Sequence, residues 1–214
     1  MRFVPCLAIS CLLITAAAGC TQGGEKLDGQ KVPARSAPAA TGAQSLEPAA
    51  AGSLELASLA FKAPEDWSDD GASGMRKGSY SFGPSYGDEL AAEVTVFFFG
   101  EGQGGDIESN IRRWVGQMDP PEGKTIEESV LRSQRESADG FTLHFVEIDG
   151  IYQRSMGGGP MTGGRTKAFP GWRMVGAIVE APGGNVFFKL VGPQQTAQTM
   201  EEGLRAMLDK AARI

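Results

Sequence analysis

Ser85, Asp119 and His144 are the residues whose types and order could perform hydrolytic chemistry. Gly83-Pro84-Ser85-Tyr86-Gly87 fits the motif G-x-S-x-G, and Asp119 and His144 follow it in the chain order of a hydrolase triad. That motif needs its serine on a sharp turn from a strand into a helix, whereas here a second predicted strand follows. Gly, Pro and Ser between two strands are typical of a hairpin turn, so the sequence predicts a turn and not a nucleophile.

His144 is the only histidine of the chain. It lies within a predicted strand, where it is either a lone general base or a hydrogen-bonded structural residue, and the structural role is favoured. The neighbouring acids Glu127 and Glu128 face opposite sides of a predicted strand, so they cannot act together as an acid and a base. An envelope enzyme that uses His144 or surface carboxylates is the alternative to a non-catalytic protein.

The glycines between Gly100 and Gly105 fit the dinucleotide pattern G-x-G-x-x-G, after a predicted strand and before a predicted helix. Two acids, Glu101 and Asp106, would repel a phosphate at this position, and the strand belongs to a hairpin instead of a parallel unit. Asp106 is better explained as the N-cap of the helix. The sequence therefore predicts no nucleotide and no other cofactor.

One flank of the predicted helix 106–118 carries a candidate binding surface. Asn110, Arg113 and Gln117 recur at spacings of three and four beside Trp114. Trp and Arg are enriched where proteins bind partners, so these four residues could anchor one. Alternatively, Trp114 belongs to the core and the polar side chains brace neighbouring loops, and this second interpretation is favoured.

The first twenty residues have the pattern of an export signal. Arg2 precedes an apolar stretch too short to span a bilayer, and small residues lead to Cys20. This resembles a bacterial lipobox, with Ala17 where leucine is usual. The resemblance implies a signal peptide over 1–19 and lipidation of Cys20. The residue after Cys20 is Thr21 and not Asp, which by the same resemblance implies anchoring in the outer membrane. An ordinary secretory signal is the alternative.

Composition divides the remainder of the 214 residues. Residues 20–53 are rich in Ala, Gly, Pro and Ser and contain no aromatic residue, which predicts a disordered tether; 54–214 are predicted to form one globular domain. Removal of Arg2 with the signal leaves 19 bases against 26 acids, a side-chain charge of −7. This acidity argues against nucleic acid as a partner, and the single remaining cysteine and histidine argue against a metal site.

Apolar patterns predict a domain of the α+β class. Helices are predicted over 106–118 and from Pro193 onwards, and residues 155–166 are a predicted loop. The predicted strands are 54–62, 75–82, 90–99, 126–137, 141–153, 172–180 and 185–191. Since hairpins alternate with one inserted and one terminal helix, we expect a mainly antiparallel sheet that is covered by helices on both faces.

This layout resembles the PsbP-like, or Mog-type, α/β/α sandwich. The opening strand that runs into Ala63-Pro64-Glu65-Asp66-Trp67, the mid-chain helix and the terminal helix carry the resemblance. Gly104-Gly105, the helix-flank residues and the run from Phe187 to Pro193 also resemble a family of predicted bacterial lipoproteins that has no assigned activity. The lipobox pattern, the long tether and the lack of a convincing catalytic constellation together predict a membrane-anchored, non-catalytic binding or accessory module, with an unknown envelope protein as its expected partner.

Overall fold

Most of the described chain is strand. The computed structural model describes residues 52–156 and 166–214, of which 49% lie in strands and 19% in helices. In chain order the elements are β1 (Ser53–Leu56), β2 (Leu59–Lys62), β3 (Ser68–Asp69), β4 (Arg76–Phe82), β5 (Ala92–Phe98), α1 (Ile107–Val115), β6 (Met118–Asp119), α2 (Ile126–Ser129), β7 (Val130–Glu136), β8 (Thr142–Ser155), β9 (Thr166–Ala181), β10 (Gly184–Pro193), α3 (Gln194–Asp209) and β11 (Ala212–Arg213).

Two antiparallel sheets contain all of the described strands. The large sheet has the order β3-β4-β5-β10-β9-β8-β6, and β7 also pairs with β8. The small sheet has the order β1-β2-β11, so the last strand lies beside the first hairpin. β10 is central in the large sheet: its Lys189 lies opposite Thr95 of β5 and opposite Gly176 of β9.

The two faces of β10 enter different hydrophobic clusters because side chains alternate along a strand. Phe188 and Leu190 belong to the cluster beneath α3, together with Leu204 of that helix. Phe187 faces the opposite way and packs with Trp114 of α1, at 6.5 Å between ring centres. The large sheet is therefore buried from both sides along its central strands.

The expected α/β/α sandwich, with helices covering both faces of the sheet, is wrong. α1 has only nine residues and is about 14 Å long, whereas seven strands side by side span about 29 Å. It therefore covers a small part of its face. The architecture is a largely β protein, in which the long strands β8 and β9 dominate and α3, with 16 residues, is the only long helix among the described residues.

Several element boundaries also differ from the predicted ones. The predicted strand 54–62 is the hairpin β1–β2, and the predicted strand 126–137 begins with the short helix α2. The helix predicted over 106–118 ends at Val115, because Met118 pairs with Tyr152 of β8 as part of β6. The signal segment, Cys20, nearly all of the tether and most of the loop 155–166 lie outside the described residues.

Five charged side chains, which we call the α3 charge cluster, fasten α3 to the sheet. Arg173 of β9 donates to Glu147 at 2.6 Å and to Asp149 at 2.8 Å, both on β8, and to Glu201 of α3 at 2.8 Å. Arg205 donates to Glu201 at 2.8 Å and also to Glu147. Burial lowers the pKa of Arg173, but hydrogen bonds to Glu201 and Asp149 outweigh it and the pKa is raised. These hydrogen bonds therefore stabilise the charged form of the guanidinium.

The start of α3 is held by the turn between β4 and β5. Pro193 provides no side-chain cap; instead Asp88 of the turn accepts hydrogen bonds from the backbone N–H and the hydroxyl of Thr196, at 2.8 and 2.7 Å. A carboxylate at this end also complements the helix dipole.

Among the described residues, no helix is long and apolar enough to cross a membrane.

Candidate functional site

A polar cleft of about 450 Å³ opens on the α1 face of the large sheet. Lys189 of the central strand β10 lies on this face between Phe187 and Val191. Trp114 covers Phe187, whereas Lys189 and Val191 line the open space. We call this space the Lys189 cleft; its principal polar lining residues are Arg76, Glu93, Gln117, Tyr152, Arg154 and Lys189.

Two neutral groups hold the amine of Lys189. Its Nζ donates to Oε1 of Gln117, just beyond α1, and to the hydroxyl of Tyr152 at 3.3 Å. Burial, and then the positive charges of Arg154 and Arg113, lower the pKa of Lys189 from 10.5 to about 8. Because the folded chain binds this proton less tightly than the unfolded chain, the charged amine destabilises the fold below about pH 8. The penalty disappears as the pH rises from about 8 towards 10.5.

The charges around Lys189 do not balance. Glu93 of β5 pairs with Arg76 of β4 at 2.6 Å and lies 3.7 Å from Arg154 of β8. Within residues 52–156 and 166–214, no carboxylate lies within ion-pair distance of Lys189. Three basic side chains and one acidic side chain thus line the cleft, in a chain whose formal charge is −6. The cleft is a positive site on an acidic protein.

An aromatic stack borders the cleft. Tyr152 is stacked on Trp172 at 5.6 Å with an angle of 11° between the rings, and Phe169 packs on Trp172 at 4.5 Å. The guanidinium of Arg154 lies 5.6 Å from the ring centre of Phe169 and 5.8 Å from that of Trp172. Such cation–π contacts restrict the side chain of Arg154, so its position in the cleft is preorganised.

The four residues of the predicted helix flank have separate roles. Trp114 is buried, at 4% exposure, and Asn110 is buried with its amide donating to the carbonyl of Gly104 at 2.8 Å. Arg113 is exposed and donates to Oδ1 of Asn110 at 2.5 Å. These contacts brace the loop before α1, whereas Gln117 alone of the four lines the Lys189 cleft.

The residues of the hydrolase pattern are not brought together. The backbone N–H of Ser85 donates to a hydroxyl at the start of α3, and Asp119 accepts a hydrogen bond from Gln153 at 2.7 Å. His144 instead pairs with Glu180 of the neighbouring strand β9 at 2.6 Å. No hydrogen bond joins any two of the three pattern residues, so the described residues do not form a triad of Ser85, Asp119 and His144.

The glycine pattern lies in the loop before α1, and the N-terminus of α1 is already occupied by a side chain of this loop. Asp106 caps α1 by accepting the backbone N–H of Ser109 at 2.8 Å and its hydroxyl at 2.7 Å. These hydrogen bonds lower the pKa of Asp106. A side chain at Gly104 would overlap Phe99 and Phe187, so this glycine serves the packing of the loop on β10. A phosphate at this helix end would meet an ionised carboxylate.

The sequence patterns do not identify Lys189 as a site residue, although a signal for it exists. Lys189 is the one charged residue in the apolar run from Phe187 to Val191. Such a run is typical of a buried central strand. A lysine is rarely buried without a partner, so a lysine in such a run marks a polar site. The α3 charge cluster is equally unpredicted, because its members come from three elements.

No protein-family model matches this chain, and no curated protein matches it.

Proposed function

We propose that this protein is a lipid-anchored, non-catalytic binding module of the bacterial envelope and that its ligand site is the Lys189 cleft. The cleft is the observation that carries the proposal. Its volume of about 450 Å³ falls in the range of small-molecule sites, and polar groups converge in it beside aromatic side chains. The lipobox-like pattern that ends at Cys20 supports the anchor.

The contacts of Lys189 orient its amine but supply no neighbouring general base. Its neighbours Gln117 and Tyr152 are neutral, and burial raises the pKa of Tyr152, so neither is a ready base for the amine. Glu93, the carboxylate of the cleft lining, is engaged with Arg76. These groups can fix and orient a ligand without taking part in a bond-breaking step.

Occupancy of the cleft can be measured by labelling lysines. The mature protein in an uncharged detergent is treated with trace acetic anhydride near neutral pH, and acetylation is measured by peptide mass spectrometry. Lys189 should react readily, because its lowered pKa leaves more neutral amine than at an ordinary lysine. Adding the small-molecule fraction of the native cell envelope should reduce its labelling about fivefold, the result of about 80% occupancy.

Lys77 is the internal control, since it lies next to Arg76 on β4, is exposed and does not line the cleft. Its labelling should not change when the fraction is added. Equal labelling of Lys189 with and without the fraction would contradict the proposed binding site. Protection that decays while the protecting compound is chemically altered would show turnover, and the protein would then be an enzyme.

The anchor is tested by metabolic labelling with palmitate in a bacterium that has two membranes. The wild-type chain should incorporate the label and fractionate with the outer membrane, whereas Cys20→Ser should lose both properties. Cys6→Ser is the matched control, because Cys6 lies in the predicted signal peptide and this variant should still be acylated. Acyl labelling of Cys20→Ser would contradict the lipid anchor.

A further inference from the structure

The Lys189 cleft has fewer negative than positive side chains. Glu93 pairs with Arg76 at 2.6 Å and with the partly exposed Arg154 at 3.7 Å, which leaves Lys189 without a carboxylate at ion-pair distance among the described residues. A buried, unpaired charge is costly, and an anion placed beside it removes that cost. A negatively charged ligand would therefore supply the negative charge that the cleft lacks.

The two cations offer complementary contacts. Arginine presents parallel N–H groups that match the two oxygens of a carboxylate or a phosphate, and lysine presents a compact point charge. Arg154 is restrained by Phe169 and Trp172, and Lys189 is restrained by Gln117 and Tyr152. Because both cations are held before a ligand arrives, little ordering entropy is lost on binding.

We propose that the Lys189 cleft binds a small organic anion through an oxyanion group, a carboxylate or a phosphate, held between Lys189 Nζ and the guanidinium of Arg154. This inference rests on the proposed function and gives the chemistry of its ligand. The volume of about 450 Å³ suits a metabolite-sized molecule. The hydroxyl of Tyr152, which burial keeps protonated by raising its pKa, can donate a further hydrogen bond.

Binding should depend on pH because the amine titrates in the working range. The charged groups that face or act on Lys189 are Arg76 and Glu93 from the β4–β5 pair, Arg113 from α1 and Arg154 from β8, and the titratable but neutral group is Tyr152. With a pKa of about 8, Lys189 is mostly charged at pH 7 and about 3% charged at pH 9.5. The loss of the charge at high pH should weaken the binding of an anion.

Isothermal titration calorimetry of the mature protein in uncharged detergent tests this at a fixed ionic strength of about 0.15 M. The probes are inorganic phosphate, citrate and the neutral polyol sorbitol. We expect phosphate or citrate to bind at pH 7 and sorbitol not to bind; the stronger of the two anions identifies the preferred oxyanion. Between pH 7 and pH 9.5 the affinity for citrate, which is almost fully ionised at both pH values, should fall by up to about 30-fold, the ratio of the charged fractions of Lys189.

Lys189→Met keeps the length of the side chain and should reduce the affinity for the anion about tenfold or more at pH 7, while Lys77→Met should bind as the wild type does. The second variant removes the same charge from β4 outside the cleft lining. Wild-type affinity in Lys189→Met, an affinity that does not change with pH, or binding of sorbitol alone would overturn the inference. If neither anion binds but the envelope fraction still protects Lys189 from acetylation, the inference of an anion site is overturned and the proposed binding function stands.

Discussion

Replacing Arg173 with methionine should lower the free energy of unfolding by about 3–5 kcal/mol. Arg173 has 11% side-chain exposure and makes three hydrogen bonds, to Glu147, Asp149 and Glu201. Its removal leaves three carboxylates together at the interface between α3 and the sheet, with only Arg205 to offset them. Urea unfolding of the protein, followed by circular dichroism, measures the loss.

Arg132→Met is the matched control for this substitution. Arg132 pairs with Glu108 at 2.8 Å, but its side chain is 50% exposed and its partner is 63% exposed. Exposed ion pairs of this kind contribute about 0–1 kcal/mol, so the control should unfold at nearly the same urea concentration as the wild type. A loss below about 1 kcal/mol for Arg173→Met would show that the α3 charge cluster is as strongly screened as this surface pair.

Trp114→Ala should lower the free energy of unfolding by about 3–5 kcal/mol, the usual result when a large buried aromatic side chain is removed. The indole lies on the sheet directly over Gly176, where a Cβ would overlap its ring, and it contacts the edge of Phe187. Arg113→Ala is the control on the same helix. Arg113 is exposed and makes one hydrogen bond to Asn110, so it should cost about 1 kcal/mol or less.

The contact between Trp114 and Gly176 can be tested by a double-mutant cycle. Gly176→Ala alone should cost about 1–3 kcal/mol, because its methyl group displaces the indole from the sheet. In the Trp114→Ala background the same methyl group should cost less, since its overlap with the indole is gone while its crowding of Val146 remains. Additive effects of the two substitutions would mean that Trp114 does not pack over Gly176.

The sequence predicts those elements whose signals are local. Asp106 indicates the start of α1, and the helix predicted from Pro193 is α3. The end of α1 could not be predicted in the same way, because the pairing of Met118 with Tyr152, distant in sequence, removes it from the helix. A local signal for α2 does exist, because Thr125 and Glu128 form a capping box. The prediction of a strand over 126–137 does not take this signal into account.

The candidate site is predictable only in part, because a cleft is defined by several strands at once. Gln117 belongs to the helix flank that the spacing indicates, and it is a lining residue of the cleft. Lys189, Glu93 and Arg154 lie on different strands, and their proximity follows from the strand order of the sheet. No local sequence pattern predicts that strand order, so the charge imbalance of the cleft could not be predicted before the fold was known.

The small sheet determines how the domain would respond to mechanical load. With the chain anchored through Cys20 as we propose, a force on the domain would enter at Ser53, whose partner in β2 is Lys62 at the open end of the hairpin. Such loading separates the pairs of β1 and β2 one after another instead of all together, while β2 is still held by β11 and by the buried Phe61. Release of the four residues of β1 would lengthen the connection by about 13 Å, and the Lys189 cleft on the large sheet would remain intact.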